Sequence, residues 1–151
     1  NYVYSENKIS YMDIDYVLNN SKLGKSIYSE LDKLKKDNLK KLNSKEKLIK
    51  EKKDKIEKKK NVSSQEQLEK DVNLFNKEVE LYRNEKNKLL NEFKKLKKNK
   101  LDDFLIKINP LIQEYIKKNS IDLVLEKNQI FMGNTKIDIT NDIVKLIDKN
   151  F

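Results

Sequence analysis

At 151 residues, 39% charged and with a mean hydropathy of -0.89, the chain has the length of one domain but too little apolar material for a conventional globular core. With no Cys and no His it offers no disulfide, thiol nucleophile, imidazole base or common zinc site, and its two Gly, isolated at 24 and 133, build no phosphate-cradling loop. Neither an enzyme nor a cofactor is expected, and a net charge of +9 carried almost entirely by Lys suits an anionic partner rather than base-specific readout by Arg forks.

Two Gly and one Pro argue against both an all-β fold and a linker-rich disordered chain, so helix is expected to dominate. No apolar run approaches the ~20 residues of a membrane span. Residues 1 to 7 read as a loose lead-in and lack the apolar centre of a signal peptide. Lys8 to Met12 then alternates, with Ile9 and Tyr11 on one face, which predicts a half-buried strand. Asp13 is placed to cap a short helical turn carrying Ile14, Val17 and Leu18. Asp13 and Asp15 resemble a D-x-D metal pair, but acids at a helix start are better explained by its dipole.

Ser21 starts a first arm whose inner stripe is Leu23, Ile27, Leu31 and Leu34, then more sparsely Leu42, Ile49 and Ile56. From Lys45 to Lys60 the sequence is mostly charge, with Lys well in excess of acids. It reads either as a solvated helix laced with ion pairs or as a basic tip, Lys52, Lys53, Lys58, Lys59 and Lys60, that attracts anions. Ser44 and Lys47 match S-x-x-K, but no companion motif of an acyl-transfer enzyme accompanies them. Asn61 to Ser64 makes the turn, and Ser63-Ser64-Gln65-Glu66 predicts a capping box with Ser63 as the cap.

In the second helix Leu68, Phe75, Tyr82, Leu89 and Leu96 fall seven apart, and Val72, Val79 and Phe93 follow the first, second and fourth by four residues. This is a coiled-coil seam, slackened where Lys86 and Lys100 take apolar positions. The helix is expected to run to about Asn119. Pro110 should kink it without ending it, because Leu111, Ile112, Tyr115 and Ile116 continue the apolar face. Phe104, Leu105, Ile108, Ile112 and Ile116 are dense enough to be core.

After Ser120 the period changes from 3.6 to 2. Ile121, Leu123 and Leu125 alternate, Lys127-Asn128 makes a turn, and Gln129 to Gly133 is expected as a return strand carrying Ile130 and Met132. Thr140 is the expected N-cap of a closing helix with Asp142 in its first turn and Ile143, Val144, Leu146 and Ile147 inside. The fold class is mainly α with a small β part (α+β): a long antiparallel helical hairpin on a small β association body. The body takes 8–20 and 120–151; the arm takes 21–119 with its tip near 61–64, the base of the second helix packing on the body.

A body of about fifty residues is marginal alone, and its strands have open edges, so association through Ile9, Tyr11, Ile121, Leu123, Leu125, Ile130 and Met132 is expected. The arms, weakly apolar and strongly basic, suit many weak contacts with a tethered client, made by Leu42, Ile49, Ile56, Phe75, Val79, Tyr82 and Phe93.

Four stretches carry a family resemblance: K-I-S-Y-M-D-I-D-Y-V-L-N-N-S-K-L-G-K-S (Lys8 to Ser26), L-E-K-D-V (Leu68 to Val72), I-D-L-V-L-E-K-N (Ile121 to Asn128) and D-I-T-N-D-I-V-K-L-I-D (Asp138 to Asp148). They resemble the Skp/OmpH family of periplasmic chaperones. The resemblance implies a homotrimer with three hairpin tentacles around a cavity that holds unfolded outer-membrane proteins without ATP. It also implies a periplasmic mature chain whose signal peptide is not present in this sequence, and anionic lipid or lipopolysaccharide as a further partner. Two other readings fit the residues: a basic coiled coil that binds nucleic acid nonspecifically, and a structural coiled-coil protein of the envelope. No specific nucleic acid is expected in either case. An A/T-rich genome would produce the same Lys, Asn and Ile excess with no functional meaning.

Overall fold

The computed structural model describes residues 6–151, so the lead-in expected over 1–7 lies outside the described residues except for Glu6 and Asn7. In chain order the elements are β1 (Ile9–Met12), α1 (Ile14–Asn20), α2 (Lys22–Lys59), α3 (Gln65–Lys118), β2 (Leu123–Glu126) and α4 (Thr140–Asn150). Contacts sort them into two compact units, a hairpin of Leu31–Lys97 and a base made of the chain up to Glu30 together with Lys98–Phe151.

The base is assembled from local signals that the sequence carries. The Asp13 carboxylate accepts from the Tyr16 amide at 2.9 Å, capping α1 as its position predicts. Ser21, fully buried, then ends α1 and starts α2, its hydroxyl accepting from the Gly24 amide at 3.2 Å. The first free amide of α2, that of Lys22, donates to Asp148 at 2.7 Å and so ties the helix start to α4. Gly24 sits where α1 and α2 meet: a Cβ there would lie 1.7 Å from the Leu18 carbonyl oxygen. Only glycine permits that approach.

The apolar centre of the base is Val17, Leu18, Phe104, Ile108, Ile121, Ile139, Ile143 and Ile147, flanked by half-buried Met12, Ile112, Tyr115, Ile116 and Val124. The base of α3 supplies its part at helical spacing, and the helix continues past Pro110 without ending, as expected. The hydrogen bond that Pro110 forfeits would have reached the carbonyl of Ile106, a residue that is 67% exposed. Leu105, expected in the core, points outward at 41% exposure because the inward stripe takes Phe104 and Ile108 instead.

Helix α3 ends in a Schellman motif. The Ile121 amide donates to the Ile116 carbonyl at 3.0 Å and the Ser120 amide to Lys117 at 3.3 Å, with Ser120 held at φ 52. This turn delivers β2, and there the expected topology is corrected. Leu123–Glu126 pairs in parallel with Ile9–Met12, in the register Ile9↔Leu123 and Tyr11↔Leu125. Lys127–Gln129 is a 3-10 turn, and no return strand follows at Gln129 to Gly133. Alternation fixes which face a strand buries and leaves its partner open. β1 takes one edge of β2, while the other side of β1 is taken at Tyr11↔Asp138, with the Ile139 amide donating to the Tyr11 carbonyl at 3.0 Å. Thr140 is likewise not a cap: it is the first residue of α4, and its hydroxyl accepts from the Asp13 amide at 3.0 Å and contacts Asp138.

Within the hairpin, α2 and α3 run antiparallel. Leu31 and Leu42 are buried, whereas Leu34, Ile49, Ile56, Leu68, Phe75, Val79, Tyr82, Leu89 and Phe93 are half-buried and Val72 is 38% exposed. The seam is only partly buried for most of its length. The turn bonds Ser63 to Lys59 at 3.0 Å, and the cap is Ser64, which accepts from the Gln67 amide at 3.2 Å. Ser63 was the expected cap; S-x-x-Q from Ser64 satisfies the same rule one residue later, and Glu66 pairs with Lys70 instead.

Candidate functional site

The residues expected to associate do not all share one surface. Of the two faces of the β1–β2 sheet, Ser10, Met12, Val124 and Glu126 lie on the side that packs on the core, with Met12 and Val124 touching it. The opposite face carries Ile9, Tyr11, Leu123 and Leu125. Ile9, Leu123 and Leu125 are 42%, 48% and 37% exposed, a run of aliphatic side chains without cover in the single chain. Tyr11 is buried: its ring lies against Gly133, where an added Cβ would stand 3.2 Å from Tyr11 Cε1. Ile121 is also buried, inside the base core, because the Schellman turn points it inward. Ile130 is half-buried beside Gly133, and Met132 is 83% exposed on the loop. Phe131, fully exposed next to it, was missed because a strand reading pointed it away from Ile130 and Met132. The outer edge of β2 has no partner strand among the described residues.

The hairpin sorts its expected client-contact residues into three grooves between its helices. Ile56 and Phe75 line one of about 220 Å³ with Leu74, and Ile49 and Tyr82 line another of about 180 Å³ with Leu48 and Leu81. Leu42 and Phe93 line a third of about 310 Å³ with Leu39, Leu89 and Leu90. Val79 stays in the seam, half-buried.

Charge is arranged less freely than composition implies. Glu85 receives Lys41 at 3.1 Å and also Lys45, and Glu78 receives Lys52 at 2.5 Å, each pair crossing from one helix to the other. Hydrogen bonds from Lys45 and then Lys41 hold the Glu85 carboxyl below the usual carboxylate range. Tyr82 donates toward Glu46 at 3.5 Å, and its phenol is raised by loss of solvent first and by Glu46 second. Lys52 is therefore ion-paired across the hairpin. Lys53, Lys58 and Lys60 are exposed and make no ion pair among the described residues, while Lys59 lines the groove of Ile56. Lys58 and Lys59 also occupy the last turn of α2, where the helix dipole favours cations. The cross-helix carboxylates were legible in principle, since Glu78 and Glu85 stand seven residues apart beside the seam.

In the base, Tyr115 donates to Asp142 at 2.8 Å, and burial together with that bond pushes its phenol up to about 12. No group of three or more acidic residues among those described is placed to hold a metal ion, and no helix is long and apolar enough to cross a membrane.

Comparison with known proteins adds the family frame. A family model described as outer membrane protein (OmpH-like) matches residues 8–147. No curated protein matches the sequence. A solved structure of a candidate outer membrane chaperone (OmpH-like) from Caulobacter crescentus CB15 is similar at a TM-score of 0.88 and 14% identity, over 100% of this chain and 89% of that one. At that identity the likeness shows a shared fold.

Proposed function

The chain belongs to the OmpH-like family, and we propose on that footing that it is an ATP-independent holdase for unfolded outer-membrane proteins. In this reading it works in the periplasm as a homotrimer, holding the client between basic hairpin arms and preventing its aggregation in transit. The observation that carries it is the hairpin seam, which keeps aromatic and aliphatic side chains half-exposed over most of its length while Lys surrounds them. A seam built only to hold two helices together would be dry. Many shallow apolar contacts, each weak, retain a flexible chain because a released segment rebinds a neighbouring site. The aliphatic run Ile9, Leu123 and Leu125 and the open edge of β2 support association through the base. Anionic lipid or lipopolysaccharide remains a partner that the free lysines suit.

The test is light scattering of a denatured β-barrel protein diluted into buffer with and without the full chain. Suppressed aggregation, with a native-mass particle that gains one client, is the expected result. Replacing Leu42 to Leu81 by a short turn removes matched lengths of both helices; assembly should survive and holding should fall to the level of buffer. Undiminished holding after the deletion would place the client site outside Leu42 to Leu81 and overturn the reading.

A further inference from the structure

Helical periodicity gives the hairpin two unlike flanks. On one, the grooves of Ile56 and Phe75 and of Ile49 and Tyr82 repeat at seven-residue spacing, and both are lined by carboxylates. Of these, Glu78 and Glu85 already hold Lys41, Lys45 and Lys52. That flank is partly neutralised by its own carboxylates. On the other, Leu39 and Leu90 form the walls of the third groove, over Leu42, Leu89 and Phe93. No carboxylate lines it, and its cations Lys35, Lys94 and Lys97 make no ion pair among the described residues. Leu39 and Leu90 remain 50% and 48% exposed.

Size and charge together select an occupant. The α2 side of the groove runs from Lys35 to Leu42, roughly 10 Å of helix, which is the span of about three extended residues. Its volume of about 310 Å³ accepts one large side chain and stands at the low end of small-molecule sites. A positive rim with no acid of its own is complementary to carboxylates on either side of that side chain.

We propose that the groove of Leu39, Leu42, Leu90 and Phe93 is a seat for an aromatic side chain flanked, within two residues on each side, by Asp or Glu in an extended segment. The inference rests on the holdase reading and deepens it, by naming the client sequence that the arm engages. Arm binding is then selective for acidic-aromatic segments. Segments with basic flanks are repelled from the same seat.

The test uses the full chain and a fluorescein-labelled ten-residue peptide with one Phe between two pairs of Asp. Two controls replace the Asp residues by Ser or the Phe by Ala. By fluorescence anisotropy the acidic-aromatic peptide should bind about tenfold more tightly than either control. The double substitutions Leu39→Gln with Leu90→Gln, and Lys94→Gln with Lys97→Gln, should each abolish that preference; helix content by circular dichroism confirms folding, and all four sites are solvent-exposed. Equal affinity for the Ser-flanked peptide would overturn the proposal, as would unchanged binding in the leucine variant. So would methyl resonances of Leu39 and Leu90 that shift with dodecanoate and not with the peptide, since the groove would then belong to lipid anions. Aggregation assays with the original chain separate the two readings: suppression without peptide preference sinks the groove alone, and no suppression sinks the holdase itself.

Discussion

Two backbone positions show how single residues set the geometry of the base. Ser120 holds the left-handed conformation that closes the Schellman turn, at φ 52, where a Cβ is strained. Ser120→Gly should therefore raise stability by about 1 kcal/mol in urea denaturation, and a fall would mean that the Ser hydroxyl matters more than the strain. Gly24 is the reverse case. A methyl group there meets the Leu18 carbonyl at 1.7 Å, and because the obstacle is backbone, α1 and α2 must move apart. Gly24→Ala should cost about 1–3 kcal/mol, with loss of near-ultraviolet signal from the base tyrosines. An unchanged melting temperature would show that the two helices part freely. Both residues stand at boundaries visible in the sequence, where a helical period begins or stops. What sequence could not supply is the distance to Leu18, which arises only when α1 folds back on α2.

At the scale of elements, the hairpin depends on charge as well as on its seam. The Glu85 carboxylate, depressed below its ordinary range by Lys45 and Lys41, contributes stability that is present above the unfolded pKa of ~4.3 and is lost as pH falls through the lower folded value. Helix content should therefore decline on acidification below about pH 4.3, and Glu85→Gln should flatten that limb. An identical acid profile in the variant would leave the ion pairs without a structural role. The elements themselves were largely readable: heptad spacing gave α3, capping residues gave α1, and the loss of periodicity after Ser120 gave the change to strand. The β-hairpin was misread for a definite reason. Leu123 and Leu125 alternate equally well whether their partner lies six residues away or more than a hundred before, and only packing decides. The same blindness affected the association residues, because alternation cannot tell that Tyr11 lies buried against Gly133 while Ile9 is exposed. The ion pair of Lys52 was not legible for want of register: it meets Glu78 only once the two helices are aligned.

For the whole molecule, the sharpest test of association is Leu123→Asp. In the single chain Leu123 is 48% exposed, so a carboxylate there is solvated and should leave the fold intact. Where copies meet through this face, the same carboxylate would be buried without a partner. Monomers of normal helix content by native mass measurement are the expected outcome; an unchanged oligomer would exclude Leu123 from the contact. The parallel pairing of β1 with β2 also fixes an order of events during synthesis. The bonds Lys8 to Asp122, Lys22 to Asp148 and Asp13 to Thr140 span 114, 126 and 127 residues, so the base cannot close until the ribosome has released nearly the entire chain. The hairpin needs only its own residues and can form while the C-terminus is still being made. Once the two helices pair, Glu30 lies beside Lys100, so the loop that remains to be closed is far shorter than the sequence separation. Hairpin formation before base closure shortens the loop that closure must order, and lengthening both helices by matched turns should leave the rate of base formation nearly unchanged.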